Sequence, residues 1–192
     1  MTGITAADER NLGRLDRAGG LAIVRFSRLL AHPPEKVWRA LTEDEHLEAW
    51  FPTTIDGPRE AGAKLEFRFR TLDIPPMQGE IVRCEPPRLL EFSWGEDLLR
   101  FELAPQHNGT ALELTVTFDE IGKVARDATG WHTCLDELVS ELDGSKAEAA
   151  AHGPDDRWHL LNRAYAGRFG ADTATLGPPQ EWLDEQERLR HG

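Results

Sequence analysis

Between Leu65 and Phe118 the apolar residues keep a period of two, and from Val124 onward they switch to a helical period. Leu65, Phe67 and Phe69 alternate with Lys64, Glu66, Arg68 and Arg70. Leu90, Phe92 and Trp94 share a face; Leu99, Phe101 and Leu103 alternate with Arg100 and Glu102; and Leu112, Leu114, Val116 and Phe118 alternate with Glu113, Thr115 and Thr117. Such alternation belongs to antiparallel strands wet on one side only. Val124, Ala128, Trp131, Leu135, Leu138 and Leu142 then follow at steps of four, three, four, three and four, one apolar stripe of a helix that Gly144 ends. A sheet with one greasy face and a helix with one greasy stripe have to cover each other. The expected fold is therefore α+β: about seven antiparallel strands curved around one long helix.

Local signals place the remaining elements. Leu21 to Leu30 reads as a first strand with Val24, Phe26 and Leu30 on one parity, and Arg28 shares that parity. Either a bulge intervenes or Arg28 points inward, where its fork could pair a ligand carboxylate. Pro33-Pro34 stops the strand and starts a short helix carrying Val37, Trp38 and Leu41. Thr42-Glu43-Asp44-Glu45 has the spacing of a capping box and predicts a second short helix to about Trp50. A short strand over Thr53 to Ile55 follows, with turns at Asp56-Gly57-Pro58 and Gly95-Glu96-Asp97, and Asn108-Gly109 is a hairpin signal because both residues tolerate positive φ. Residues 1–20, ending in Gly19-Gly20, read as a flexible arm, 21–144 as the sheet-and-helix domain and 145–192 as a helical extension. In that extension Ala147 to Gly153 reads as a linker, Trp158, Leu161, Tyr165 and Phe169 share a helical face, and Pro178-Pro179 precedes a last helix with Trp182 and Leu189.

Charge narrows the function classes. The net charge of -12 and pI near 5.0 repel phosphate backbones and anionic membrane surfaces, and no basic run interrupts the field. No apolar h-region opens the chain and no apolar run nears the roughly 20 residues that span a bilayer, so a cytoplasmic protein is expected. Cys84 and Cys134 have no metal-ligand spacing and read as buried thiols.

The same elements in the same order resemble the START/SRPBCC superfamily with its helix-grip fold, and within it the bacterial branch related to the activator of the heat-shock protein 90 ATPase. The resemblance rests on His32-Pro33-Pro34-Glu35-Lys36-Val37-Trp38-Arg39-Ala40-Leu41-Thr42, on Glu45-His46-Leu47 and Trp50-Phe51-Pro52, on Pro86-Pro87-Arg88-Leu89-Leu90-Glu91-Phe92-Ser93-Trp94, and on Gly130-Trp131-His132-Thr133-Cys134-Leu135-Asp136. It covers roughly Leu21 to Gly144. It implies a cavity between sheet and long helix that takes lipids, polyketides, hormones or other small molecules; a minority of members are aromatases, cyclases or hydrolases. The extra amino-terminal domain of the eukaryotic activator has no counterpart before Leu21.

The cavity is expected to be lined by Trp38, Trp50, Phe67, Phe69, Met77, Phe92, Trp94, Phe101, Trp131, His132 and Leu135, since ligand pockets are mainly apolar and aromatic with few polar groups. His132 is the one candidate acid or base, or else a histidine satisfied by Asp136 one turn later. No GxSxG, HExxH, P-loop or dinucleotide glycine pattern is present, and the other histidines lack ligand spacing, so no catalytic residue, metal or cofactor is assigned. The leading reading is binding of a small apolar or amphipathic molecule. An enzyme of the cyclase, aromatase or hydrolase kind and a chaperone-cofactor or regulatory interaction module, with a homodimer through the carboxy-terminal helices, are the alternatives.

Overall fold

The structure, a computed structural model, describes residues 4–70, 72, 74–145 and 156–191, without side chains at 185–187 and 189–191. The linker assigned to Ala147–Gly153 and the side chain of Leu189 lie outside the described residues. Strands β1 (Arg14–Ala18), β2 (Leu21–Leu30), β3 (Thr53–Asp56), β4 (Lys64–Phe69), β5 (Met77–Glu85), β6 (Leu89–Trp94), β7 (Asp97–Gln106) and β8 (Gly109–Phe118) form one sheet. Its order is β1-β2-β8-β7-β6-β5-β4-β3, antiparallel at every step. The helices are α1 (Ala6–Asn11), α2 (Pro34–Thr42), α3 (Asp44–Trp50), α4 (Val124–Leu142), α5 (Asp156–Phe169) and α6 (Gln180–His191). This is the helix-grip arrangement, with a six-strand meander from β3 to β8 and the long helix α4 after it.

Alternation and burial coincide. Every second residue of β8, from Thr110 to Phe118, is buried, as are Leu99, Phe101 and Leu103 of β7 and Leu65 and Phe67 of β4. All six residues of the α4 stripe are buried against them. Burying an aliphatic or aromatic side chain is worth roughly 1.5–3 kcal/mol, so this mutual cover holds the two layers together. β2 and β8 pair without a break from Ala22–Phe118 to Leu30–Thr110, so no bulge rescues Arg28, which points inward and is buried.

Three local expectations are corrected. Residues 6–11 and 14–18 of the supposed arm form α1 and β1, which adds an eighth strand to the sheet. Gly19 and Gly20, both at positive φ, make the tight turn that folds β1 back on β2 in Ala18–Leu21 register. Thr42 caps nothing: it is the last residue of α2, and its hydroxyl donates to the Trp38 carbonyl at 2.8 Å, while Glu43 precedes α3. At the β7–β8 hairpin, Gln106 pairs with Gly109, so His107 and Asn108 form the turn without positive φ. Glycine is required at 109, which has a positive φ and where a Cβ would lie 1.9 Å from the Leu30 carbonyl oxygen.

The two chain ends are fastened to each other. Gly13 N–H donates to the Tyr165 hydroxyl at 3.0 Å, Arg28 donates to the Asn11 carbonyl at 2.9 Å, and Arg17 pairs with Asp172 at 2.7 Å. The α5 stripe of Trp158, Leu161, Tyr165 and Phe169 is buried throughout. The extension therefore packs on the first strands and on α4. No helix among the described residues is long and apolar enough to cross a membrane.

Candidate functional site

Alternation sends Phe67 and Phe69 of β4, and Phe92 and Trp94 of β6, to the same face of the sheet, one step apart along each strand. Phe67 and Phe92 are buried, and with Trp50, Phe51 and Phe101 they pack ring against ring at centroid distances of 5.3–6.3 Å. Phe69 and Trp94, at the strand ends, are only half-buried. They open onto a cleft of about 730 Å³, a volume in the range of small-molecule sites. The end of β4, the start of β5 at Met77, and the β6–β7 turn form one wall; Trp131 and its neighbours on α4 form the floor; Trp158 of α5 and Trp182 of α6 close the far side. Trp94 and Trp131 meet edge to face at 5.6 Å, and Phe69 meets Trp182 at 6.4 Å.

Of the residues expected to line a cavity, Phe69, Met77, Trp94 and Trp131 come together here. Trp50, Phe67, Phe92, Phe101 and Leu135 belong to the packed interior, and Trp38 lies half-buried against that interior. The opening is thus displaced from the space between sheet and helix toward the carboxy-terminal extension, because rings fill the middle of the fold. Sequence reasoning missed Trp158, Trp182, Arg157 and Glu137 as lining residues. The apolar stripe of α5 was visible, yet no periodicity says which element a stripe will meet.

His132 does not reach the cleft. It is fully buried on the side of α4 that meets α5, with Nδ1 2.8 Å from the Tyr165 hydroxyl. Its Nε2 stands 3.4 Å from Asp136 and 3.7 Å from Asp8, too poorly aligned for hydrogen bonds. Burial would raise the Asp136 carboxyl, but His132, Arg157 and Arg28 around it hold it down at about 2. The same balance, burial against the Arg157 contact and the Thr5 cap, leaves Asp8 below its ordinary value. The donor atoms of Asp8, His132 and Asp136 lie within 4.8 Å of one another, a spacing that a metal ion could use. Arg157 instead sits between the two carboxylates, 2.7 Å from Asp8 and 2.5 Å from Asp136. The charge a cation would supply is already supplied, so this cluster is a structural lock among α1, α4 and α5. Arg28 is held in the same lock, 3.3 Å from Asp136, and is not available to a ligand carboxylate.

The cleft's own polar groups behave differently. Burial, seconded by the adjacent Asp136 charge and opposed by Arg157, pushes the Glu137 carboxyl up to about 8. Burial raises Asp97 to about 6 despite the Asp119 N–H and the Lys123 ammonium, which lies 3.0 Å away. Cys134, buried beside Glu137, is pushed well above the usual thiol range, so it stays a thiol and offers no ready nucleophile.

The family model described as "Activator of Hsp90 ATPase homolog 1-like protein" matches residues 31–143. No curated protein matches the chain. Among solved structures, the conserved protein of unknown function EF2215 from Enterococcus faecalis is 17% identical, with a TM-score of 0.72 over 84% of this chain and 94% of that one. CalU16 from Micromonospora echinospora is 24% identical, with a TM-score of 0.64 over 81% and 96% of the two chains. MLL2253 from Mesorhizobium loti is 25% identical, with a TM-score of 0.57 over 65% and 99%. These likenesses establish a shared fold.

Proposed function

Since the chain belongs to the family of Activator of Hsp90 ATPase homolog 1-like proteins, whose fold is a ligand-binding one, we propose that it binds a small apolar or amphipathic molecule in the cleft beside α4. The observation that carries this reading is the contrast of surroundings: a filled aromatic interior, and next to it a cleft of about 730 Å³ faced by Phe69 and four tryptophans. Phe69, Trp94 and Trp182 are left half-covered there, and apolar rings so placed are costly in water unless something lies on them. We read 21–144 as the binding unit and 145–192 as the extension that completes its wall. Trp158, Pro179 and Trp182 all come from beyond the family-matched stretch, so the extension supplies the outer side of the site.

The reading is tested with Nile red, a neutral apolar dye. Saturable binding of one dye per chain, weakened about tenfold or more by Phe69→Ala and by Trp182→Ala, is expected from the loss of ring contact. Absence of saturable binding, or binding indifferent to both substitutions, would overturn it.

A further inference from the structure

Among the described residues, two arginine–aspartate pairs fasten the amino-terminal segment to the carboxy-terminal extension, and they differ in where they lead. Arg17 and Asp172 meet on the surface, and neither lines the cleft. The other pair joins Asp8 of α1 to Arg157, in the first turn of α5, at 2.7 Å. Arg157 lines the cleft, as does the next residue, Trp158, whereas Asp8 is buried and stands outside the lining. A segment that touches no guest is thus tied directly to a wall that does.

The two carboxylate oxygens of Asp8 have separate tasks. Oδ2 accepts from the Thr5 N–H at 2.9 Å and from the Thr5 hydroxyl at 2.8 Å, and the Asp8 N–H donates back to that hydroxyl, so the capping box that starts α1 also aims the side chain. Oδ1 takes Arg157. Arg157 donates as well to Asp136 of α4, and Arg28 links Asp136 to the Asn11 carbonyl at the end of α1. Two arginines converging on one carboxylate therefore hold α1 at both ends. The N–H groups of a helix's first turn have no partners within the helix, so contacts from outside decide how firmly that turn is held. Leu161, Tyr165 and Phe169 anchor the rest of α5 by burial, and the Arg157 pairs fix the turn that carries Trp158. We propose that Asp8 is a positioning residue for the cleft: with α1 docked it fixes Arg157, and through that turn it sets Trp158 against the guest. Docking of α1 and occupancy of the cleft then favour each other. This inference deepens the reading of the cleft and rests on it.

Nile red titrations of single and paired variants test this. Asp8→Asn keeps an oxygen for the Thr5 cap but turns an N–H donor toward the Arg157 donors, so it cuts the tie and spares α1. It is expected to weaken the dye about tenfold. Asp8→Glu, which keeps both the charge and the capping box, should stay within about threefold of the unsubstituted protein. Arg17→Ala, which cuts the surface pair, should stay within about twofold. In a Trp158→Ala background Asp8→Asn should cost nothing further, because the ring through which it acts is gone. Affinity indifferent to Asp8→Asn, an equal loss in Arg17→Ala, or an undiminished further loss in the Trp158→Ala background overturns the positioning role and leaves the cleft reading standing. Absence of saturable binding by the unsubstituted protein overturns both. Should Asp8→Asn misfold, hydrogen exchange in the unsubstituted protein decides. Linkage requires saturating dye to slow exchange over residues 5–11 about fivefold or more, and unchanged exchange overturns the proposal.

Discussion

Phe67 and Phe69 are the same residue type, on the same strand and the same face, yet the first is buried in the core and the second stands at the edge of a cleft. Phe92 and Trp94 repeat the contrast on β6. The inner rings are covered within the sheet-and-helix core, Phe92 by Phe51 and Phe101 and Phe67 by Phe92, whereas of the outer rings Phe69 is faced by Trp182 of the extension and Trp94 meets Trp131 at the cleft. The difference is therefore not in the strand but in what closes over it. An interior built by one continuous pattern packs shut; a rim completed by a separate segment stays open far enough to hold a guest.

The comparison breaks most visibly by truncating one ring on each side. Phe101→Ala, in the interior, should cost about 3–5 kcal/mol in urea unfolding, because the cavity left behind cannot collapse among neighbouring rings. A second measurement separates the polar groups of the two regions. The Glu137 carboxyl is raised from its ordinary 4.5 to about 8, so the folded protein keeps a proton that the unfolded chain gives up. Stability then falls as pH rises from about 4.5 to about 8 and levels beyond. Asp136, held at about 2, acts the other way, and its contribution is lost only as pH drops below its ordinary 3.8. Asp97, raised to about 6, adds a decline ending below that of Glu137. Glu137→Gln should thus gain on the order of 2–4 kcal/mol over the unsubstituted protein at pH 9, and almost nothing at pH 4, read from denaturant midpoints. A uniform gain at both pH values would place Glu137 outside the dry wall of the cleft. The smallest effect belongs to Trp182→Ala, which should change stability by less than about 1 kcal/mol while weakening the bound dye, the reverse of Phe101→Ala. If both variants lost stability alike, rim and interior would be one core.

What could be read without coordinates followed from local periodicity. The meander, the α4 stripe, the two short helices and the buried stripe of α5 are repeated choices of apolar residue at fixed intervals, and backbone geometry turns those intervals into faces. The first strand escaped the same reading because Arg14–Ala18 carries one large apolar residue, Leu15, among charges, as suits an exposed edge; Gly19-Gly20 was the one signal of its turn. The Thr42 box had the right spacing at the wrong place, since α2 ran one residue farther and took the threonine into its own last turn.

Sequence alone thus determined the two layers, their connectivity and the pool of rings from which a site would be made. The tertiary structure decided which rings border the cleft, that His132 on α4 is locked by Tyr165 of α5, and that Glu137 is buried on the same helix. Those outcomes depend on where residues distant in the chain come to rest: Trp182 is brought to Phe69, and Arg157 to Asp8, by packing across the molecule. Periodicity specifies the face of an element, and only the folded chain specifies what that face touches.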